Sequence, residues 1–147
     1  MIISEFLAAR DVVADLAIAD KGKLLRELGR RAAAELELHA EPIVAALLQR
    51  ETLGSTGTGG GVAIPHARIE QVKRPIGVFA RLKSPIDFDA IDSARVDLVF
   101  VLLLPASQDG QYLHALAAVA RALRDQDRLK VLRRAKGAAE LYATIIA

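Results

Sequence analysis

The sequence predicts an α/β fold, a single-domain layer sandwich over residues 1–147 in which a central mixed β-sheet is flanked by helices. Short apolar runs typical of strands alternate with segments whose apolar residues recur at helical spacing. The run 96–104 is apolar at every position except Asp97, which is typical of a strand covered on both faces. A chain of 147 residues with 52% hydrophobic content can bury one full core but not two.

The N-terminal third predicts one strand and two helices. Residues 11–16 form a short apolar stretch that predicts the first strand, and the leucines of 21–38 recur at the spacing of an amphipathic helix. Pro42 suits the first turn of a second helix, which we expect to end near Thr52, before a run of glycines.

The rest of the chain predicts a sheet followed by helices. We expect strands at 62–64, 77–82 and 96–104, with a turn-rich segment at 84–95. From Gln111 the apolar spacing becomes helical again, followed by a short helix at 128–135 and a terminal one at 138–146.

Composition excludes several classes of function. The chain has 20 basic and 18 acidic residues, a balance that gives little indication of nucleic-acid binding. The basic run 121–136 could mark a docking or nucleic-acid face, but it lacks interleaved aromatic residues, so we expect a solvated face and no nucleic-acid partner. The absence of cysteine excludes disulfides and thiolate chemistry. The longest apolar run, 98–104, is too short to span a membrane, and no secretion signal is recognisable. We therefore expect a cytoplasmic protein that does not insert into membranes.

The stretch GSTGTGGGVAIPHAR, residues 54–68, is the most unusual part of the chain. Gly54 and Gly59 have the spacing of a P-loop, but the lysine that should follow is missing. The dinucleotide-binding pattern also fails, because position 62 is valine and the glycines lead into a strand. A plain flexible connector is the alternative, yet a connector has no need for the Pro65-His66 pair at its end.

His66 is the candidate nucleophile of this stretch. Ile64 is biased to an extended conformation by the following proline, and Pro65 fixes its own φ. His66 therefore directly follows a rigid strand end. A neutral imidazole has a free lone pair near pH 7 and can accept a phosphoryl group. Backbone N–H groups and hydroxyls of the glycine loop would bind the anionic oxygens. The candidate phosphate-binding residues are Ser55, Thr56, Gly57, Thr58 and Gly59.

Arg50 is a second candidate for the site. It lies in the last turn of the second predicted helix, a few residues before the glycine loop, and a guanidinium suits phosphate oxygens. The alternative is a solvated charge at the end of a helix.

Four motifs together resemble a known family: RETLGSTGTGGGVAIPHAR, PIDFDAID, VDLVFVLLLPA and LRRAKGAAELYATII. They are similar to the enzyme IIA domains of the bacterial phosphotransferase system, in the fructose/mannitol class, and most of all to its nitrogen-regulatory branch. The resemblance implies that His66 accepts phosphate from a phosphohistidine on a small HPr-like carrier and that Arg50 helps to hold the phosphoryl group. It implies an α/β sandwich, no metal or organic cofactor, and regulated target proteins as partners.

The sequence departs from the family at one position. Many members place a second histidine near the start of the helix after the LLLPA strand, where this chain has Tyr112. His114 lies two residues later, about 200° around the helix, so it cannot simply replace that histidine. We expect His114 on the solvent face and Tyr112 on the apolar face; both remain candidate accessory residues, and Tyr112 could donate a hydrogen bond to the phosphoryl group.

Two classes of function remain open. The chain is either a phosphocarrier with a phosphohistidine intermediate or a regulatory binding module whose phosphorylation state selects its targets, and the nitrogen-regulatory resemblance implies both. A sugar-permease component that passes phosphate to a IIB domain is the alternative. No fused IIB, IIC or HPr segment accompanies the domain, which favours the regulatory branch. Four aspartates between 87 and 97 lack the spacing of a calcium loop, so we expect a turn and no metal there.

Overall fold

The computed structural model describes residues 1–107 and 110–147. Two short 3-10 turns, Ile3–Glu5 and Ala9–Asp11, precede the first strand. In chain order the main elements are β1 Val12–Leu16, α1 Lys21–Leu36, α2 Ala40–Thr52, β2 Gly57–Gly59, β3 Val62–Ala63, β4 His66–Ile69, β5 Ile76–Ile86, β6 Val96–Pro105, α3 Gln111–Ala122, α4 Gln126–Arg134 and α5 Ala138–Ile146. The predicted α/β class is confirmed.

The strands form one mixed sheet in the order β1-β5-β6-β3-β2, and β4 also pairs with β6. β6 runs antiparallel to β5 on one side and parallel to β3 and β4 on the other. Every residue of β6 except Asp97 is buried. The largely apolar run 96–104 therefore forms the central, doubly covered strand that the sequence predicts.

Helices cover the two faces of this sheet. Val99, Val101 and Leu103 of β6 pack in a core with α1 and α2, whereas their neighbours Phe100 and Leu102 pack in a second core with α3, α4 and α5. Alternate residues of a strand point to opposite faces, so a single apolar strand supplies both cores.

Aspartate side chains cap the N-termini of two helices, α1 and α4. Asp20 accepts a hydrogen bond from the backbone N–H of Lys23 at the start of α1, at 2.8 Å. Asp125 accepts from the N–H groups of Asp127 and Arg128, so α4 begins at Gln126, two residues before the prediction. Such caps satisfy N–H groups that have no partner inside the helix.

The sequence prediction differs from the structure in two places. The strand predicted at 62–64 is present as β3, but it pairs antiparallel with β2, which lies in the glycine-rich segment predicted as a loop. His66 begins a further strand, β4, that was not predicted. β5 extends to Ile86 and enters the segment predicted as turns. Its pairing with β6 is irregular between Arg81 and Ile86, where Lys83, Ser84 and Pro85 are exposed. Proline within a strand is tolerated where it leaves the regular ladder.

Arg81 is a buried cation that joins the sheet to α4. Its Nη1 donates to the backbone carbonyls of Leu132 and Ala135, at 3.0 and 2.6 Å, and its Nη2 donates to Asp15 Oδ1 at 3.1 Å. The last carbonyls of a helix have no partner within it, and a positive charge is favourable at that end. Arg81 therefore fixes the C-terminal end of α4 against β5.

We predict that Arg81→Met lowers the free energy of unfolding by about 2–3 kcal/mol, because the Leu132 and Ala135 carbonyls are left without their donor. Urea unfolding followed by circular dichroism measures the change. Lys83→Met, at an exposed position of the same strand, is the matched control and should have little effect. Equal stability of the two variants would contradict a structural role for Arg81.

Candidate functional site

The site is built on an interruption between two short strands. β3 and β4 both pair with β6 in parallel and keep the same register, with Ala63 opposite Val99 and His66 opposite Leu102. Pro65 lies between them and has no N–H to donate, although its carbonyl still accepts from Leu102 N at 2.9 Å. His66 is thus the first residue after a fixed break in the ladder.

The break determines which imidazole nitrogen carries the proton. His66 Nδ1 lies 2.8 Å from the backbone oxygen of Ile64. A carbonyl oxygen can only accept, so the neutral ring carries its proton on Nδ1 and its lone pair on Nε2. The Ile64 N–H itself donates to the Thr56 carbonyl at 3.1 Å, which ties this short segment to the hairpin. The structure therefore presents Nε2 as the nucleophilic atom.

The surroundings of His66 keep its ring neutral. Burial lowers the pKa of His66 from its ordinary value, and the nearby positive charge of Arg50 lowers it further. The Ile64 carbonyl and the negative charge of Glu51 act in the opposite direction. Because the net shift is downward, the imidazole is neutral at pH 7.

The glycine segment next to His66 is an ordered hairpin. Gly60 and Gly61, with φ of 67° and 82°, form its two-residue turn, a conformation that glycine adopts without strain. Gly57 is required for a different reason. A Cβ there would lie 2.8 Å from the Cβ and 2.9 Å from the Cα of Ala90, too close for any side chain. Glycines therefore allow the hairpin to pack closely on its neighbours.

The predicted hydroxyl ligands are engaged inside the protein. Ser55 Oγ donates to the Phe88 carbonyl at 2.7 Å and accepts from Gly57 N at 3.0 Å. Thr56 is only 4% exposed, and its hydroxyl donates to Glu51. Thr58 is exposed, and Gly59 lies at the end of β2 with a positive φ. The structure thus places Ser55 and Thr56 as parts of the scaffold under the hairpin.

Glu51 is a residue of the site that the sequence analysis did not single out. Its side chain is 6% exposed, and Oε1 accepts from Thr56 N and from Lys21 Nζ, each at 3.0 Å. Lys21 Nζ also lies 4.6 Å from the centre of the Phe88 ring. A buried carboxylate is stable only where charged and hydrogen-bonding partners surround it. Its position in a capping-like Glu-x-x-x-x-Thr spacing gives no recognisable signal in the sequence.

Arg50 lies where the sequence analysis expects it, at the end of α2 beside the hairpin. Its Nη1 donates to the Gly54 carbonyl at 3.0 Å, and the side chain is partly exposed. Its positive charge is one of the causes, after burial, that lower the pKa of His66. The guanidinium therefore is part of the electrostatic environment of the imidazole.

The two accessory candidates have different surroundings. Tyr112 is half-buried, and the guanidinium carbon of Arg68 lies 3.9 Å from the centre of its ring. Arg68 shares a face of β4 with His66, since the two are separated by one residue. His114 is exposed, so the predicted division between a solvent face and an apolar face of α3 is confirmed. Arg68 was not predicted, although its i+2 spacing from His66 could have indicated it.

The other charged segments are used in structural contacts. Asp87 and Asp92 accept hydrogen bonds from backbone N–H groups of their own turns, and Asp97 pairs with Arg133 at 3.0 Å. Within residues 1–107 and 110–147, no group of three or more acidic, histidine or cysteine side chains is arranged to hold a metal ion. In the basic run, every basic residue except Arg128 is exposed, so the expected solvated face is confirmed for them. Arg128 instead donates to the Thr144, Ile145 and Ala147 carbonyls. Arg133, in the same basic run 121–136, donates to the Gly60 carbonyl as well as to Asp97.

Among the helices in the described part of the chain, none has the length and apolar character needed to cross a membrane.

Comparison with known proteins agrees with these features. Residues 5–147 match the family described as phosphoenolpyruvate-dependent sugar phosphotransferase system, EIIA 2. The chain is 41% identical over 145 residues to a nitrogen regulatory protein of Bradyrhizobium diazoefficiens, covering 99% of this chain and 95% of that one. It is 44% identical over 126 residues to a nitrogen regulatory protein of Escherichia coli, covering 85% and 77%. The crystal structure of nitrogen regulatory protein IIA-Ntr from Neisseria meningitidis superposes with a TM-score of 0.91 at 36% identity, covering 97% and 98%.

We predict that Arg50→Gln raises the pKa of His66, because the substitution removes a positive charge that opposes protonation of the ring. Imidazole proton shifts followed by NMR across the acid and neutral range measure the effect. In the unaltered chain His66 should titrate below the ordinary value for histidine. Arg26→Gln, an exposed position on α1, is the control, and an unchanged His66 titration in Arg50→Gln would contradict the assigned coupling.

Glu51→Gln should lower the free energy of unfolding by about 2 kcal/mol, because a neutral amide cannot replace the carboxylate that accepts from Thr56 and Lys21. Chemical denaturation gives the stability, and hydrogen exchange of the Thr56 amide shows whether the segment before the hairpin has loosened. Glu41→Gln, in the exposed first turn of the same helix, is the control. Full protection of the Thr56 amide in Glu51→Gln would be incompatible with the assigned role.

Proposed function

The chain belongs to the phosphoenolpyruvate-dependent sugar phosphotransferase system EIIA 2 family, and from this we propose that His66 accepts a phosphoryl group from a phosphohistidine on an HPr-like carrier protein. The residue that supports the proposal is His66 itself, whose Nδ1–H donates to the Ile64 carbonyl and leaves the Nε2 lone pair available. The protein is a phosphotransferase system component, and its phosphohistidine intermediate would form at this nitrogen.

The transfer requires no acid or base from the protein. The Nε2 lone pair of His66 forms a bond to phosphorus as the bond between phosphorus and the donor nitrogen breaks, and the electron pair of that bond returns to the donor ring. The proton on Nδ1 stays in place, so the phosphorylated ring is positively charged. The Ile64 carbonyl and the negative charge of Glu51 both favour a positive ring at this position.

Arg50 is the proposed partner of the phosphoryl oxygens, because it is a partly exposed guanidinium that already acts on His66. The hydroxyl groups of Ser55 and Thr56 already donate hydrogen bonds to the Phe88 carbonyl and to Glu51, and the Gly57 N–H donates one to Ser55 Oγ. We therefore assign these three residues to holding the hairpin beside the phosphoryl group, with Gly59 as the remaining predicted backbone contact. Tyr112 and His114 remain candidates for an accessory contact.

The regulatory part of the proposal is that target proteins distinguish the two states of His66. A phosphoryl group adds about two negative charges at pH 7, enough to change which surfaces can dock around a half-buried site. The similarity to nitrogen regulatory proteins over nearly the whole chain supports this regulatory role. We propose the cytoplasm as the location, with the carrier and the regulated targets as partners.

We predict that incubation with enzyme I, an HPr-type carrier and phosphoenolpyruvate adds one phosphoryl group to the chain and that His66→Ala abolishes the addition. Intact-mass spectrometry at neutral to mildly alkaline pH, where phosphohistidine survives, measures it. His114→Ala, which alters an exposed histidine of α3, is the matched control and should still be phosphorylated.

Absence of added mass in the unaltered chain with a nitrogen-branch carrier would leave a binding module that is not phosphorylated. Onward transfer from the phosphorylated chain to an isolated IIB domain would instead support the sugar-permease alternative. The 147 residues contain no cysteine, so they cannot supply a cysteine acceptor themselves.

A further inference from the structure

Arg133, near the end of α4, is hydrogen-bonded both to the turn of the hairpin and to the central strand β6. Its Nη2 donates to the Gly60 carbonyl at 2.7 Å. Its Nε and Nη2 also donate to the two carboxylate oxygens of Asp97 on β6, each at 3.0 Å. A guanidinium can form such a fork because its donors lie in one plane. One side chain thus connects α4, the hairpin turn and the central strand.

Backbone bonds complete this connection. The Gly61 carbonyl accepts from the N–H groups of Asp97 and Leu98, at 3.0 and 3.1 Å. On the other side of the turn, Gly60 N–H donates to Asp92 Oδ2 at 3.0 Å. A Cβ on Gly61 would lie 2.6 Å from the Nη2 atom of Arg133, so the guanidinium packs directly on the bare turn. The turn is therefore held from three directions.

The turn is linked to the carbonyl that orients the His66 ring. From Gly61 the chain runs through the two residues of β3 to Ile64, whose N–H is bonded to Thr56 on the other arm of the hairpin. The carbonyl of the same residue, Ile64, accepts the Nδ1–H of His66. The hairpin is short, so displacing its turn would displace the carbonyl that fixes the tautomer and orientation of the ring.

We infer that Arg133 is a positioning residue for the reaction at His66: by joining the hairpin turn to β6, it holds the Ile64 carbonyl where it fixes Nε2 as the nucleophile. The inference rests on the proposed function for its kinetic consequence. Arg133 acts through the hairpin and its contacts are all within the chain's own scaffold, with Asp97 and Gly60 as partners. Groups that orient a reacting ring without touching the substrate affect the rate, because a small displacement from the productive geometry slows the reaction.

The test compares Arg133→Met and Asp97→Asn with Arg134→Met. Arg134 is the adjacent, exposed cation on α4, so its substitution removes the same charge without removing the contacts to Gly60 and Asp97. Asp97→Asn keeps the shape of the side chain but weakens the fork, and it serves where Arg133→Met does not fold. Each variant is assayed for its initial phosphorylation rate over a range of phosphorylated carrier concentrations, with rates referred to folded protein.

The expected result is a maximal rate about fivefold to tenfold lower in Arg133→Met, with the KM for the carrier within twofold of the unaltered value, because orientation and not docking is lost. Asp97→Asn should lie between this variant and the unaltered chain, and Arg134→Met should match the unaltered chain. An unchanged maximal rate per folded molecule would reduce Arg133 to a structural contact. A change confined to KM would make it a carrier-binding residue, and either result overturns the inference.

A spectroscopic measurement separates this inference from the proposed function. The ¹⁵N shifts of the His66 imidazole show which nitrogen carries the proton in the absence of any carrier. In the unaltered chain we expect the Nδ1–H form, and in Arg133→Met a mixture of both tautomers, because the Ile64 carbonyl no longer holds the proton on one side. Retention of the pure Nδ1–H form in Arg133→Met would contradict the positioning role even if His66 is phosphorylated. If no variant accepts phosphate, the proposed function fails while this measurement still decides the role of Arg133.

Discussion

The hydrogen bond from His66 Nδ1 to the Ile64 carbonyl is the interaction on which the chemistry of the site depends. It exists because Pro65, between β3 and β4, interrupts their pairing with β6 without changing its register. An uninterrupted strand would direct the Ile64 carbonyl into ladder bonding and leave the ring free to rotate. One proline thus converts a backbone acceptor into a fixed partner for an imidazole, at a position that the central strand determines.

The electrostatics of His66 divides into two sets of groups with opposite effects. Burial and Arg50 lower the pKa of the ring, which keeps the lone pair available before phosphoryl transfer. The Ile64 carbonyl and Glu51 favour a positive ring, which is the form that follows transfer to Nε2. Arg50 opposes a positive ring but attracts a phosphoryl group, so its unfavourable effect on protonation is offset once the anionic group is bound.

Much of the fold could be predicted from local sequence because the apolar spacing of each element is strong. The buried run of β6, the leucine spacing of α1 and the segment 138–146 all needed only their own residues. β2 and β4 could not be predicted in this way. Both strands are short, and five of the nine positions before His66 are glycine or proline, residues that ordinarily indicate loops.

The candidate nucleophile was predicted from the rigid Ile-Pro-His sequence, but the roles of the hydroxyls were not, because their partners are distant in the chain. Ser55 donates to the Phe88 carbonyl, which lies four strands later in the chain, and Glu51 is paired with Lys21 at the start of α1. The local sequence around a serine or threonine in a glycine-rich segment is the same whether its hydroxyl binds a ligand or another part of the protein. What distinguishes the two cases is whether its single hydroxyl proton is already donated, and only the three-dimensional arrangement of acceptors decides that.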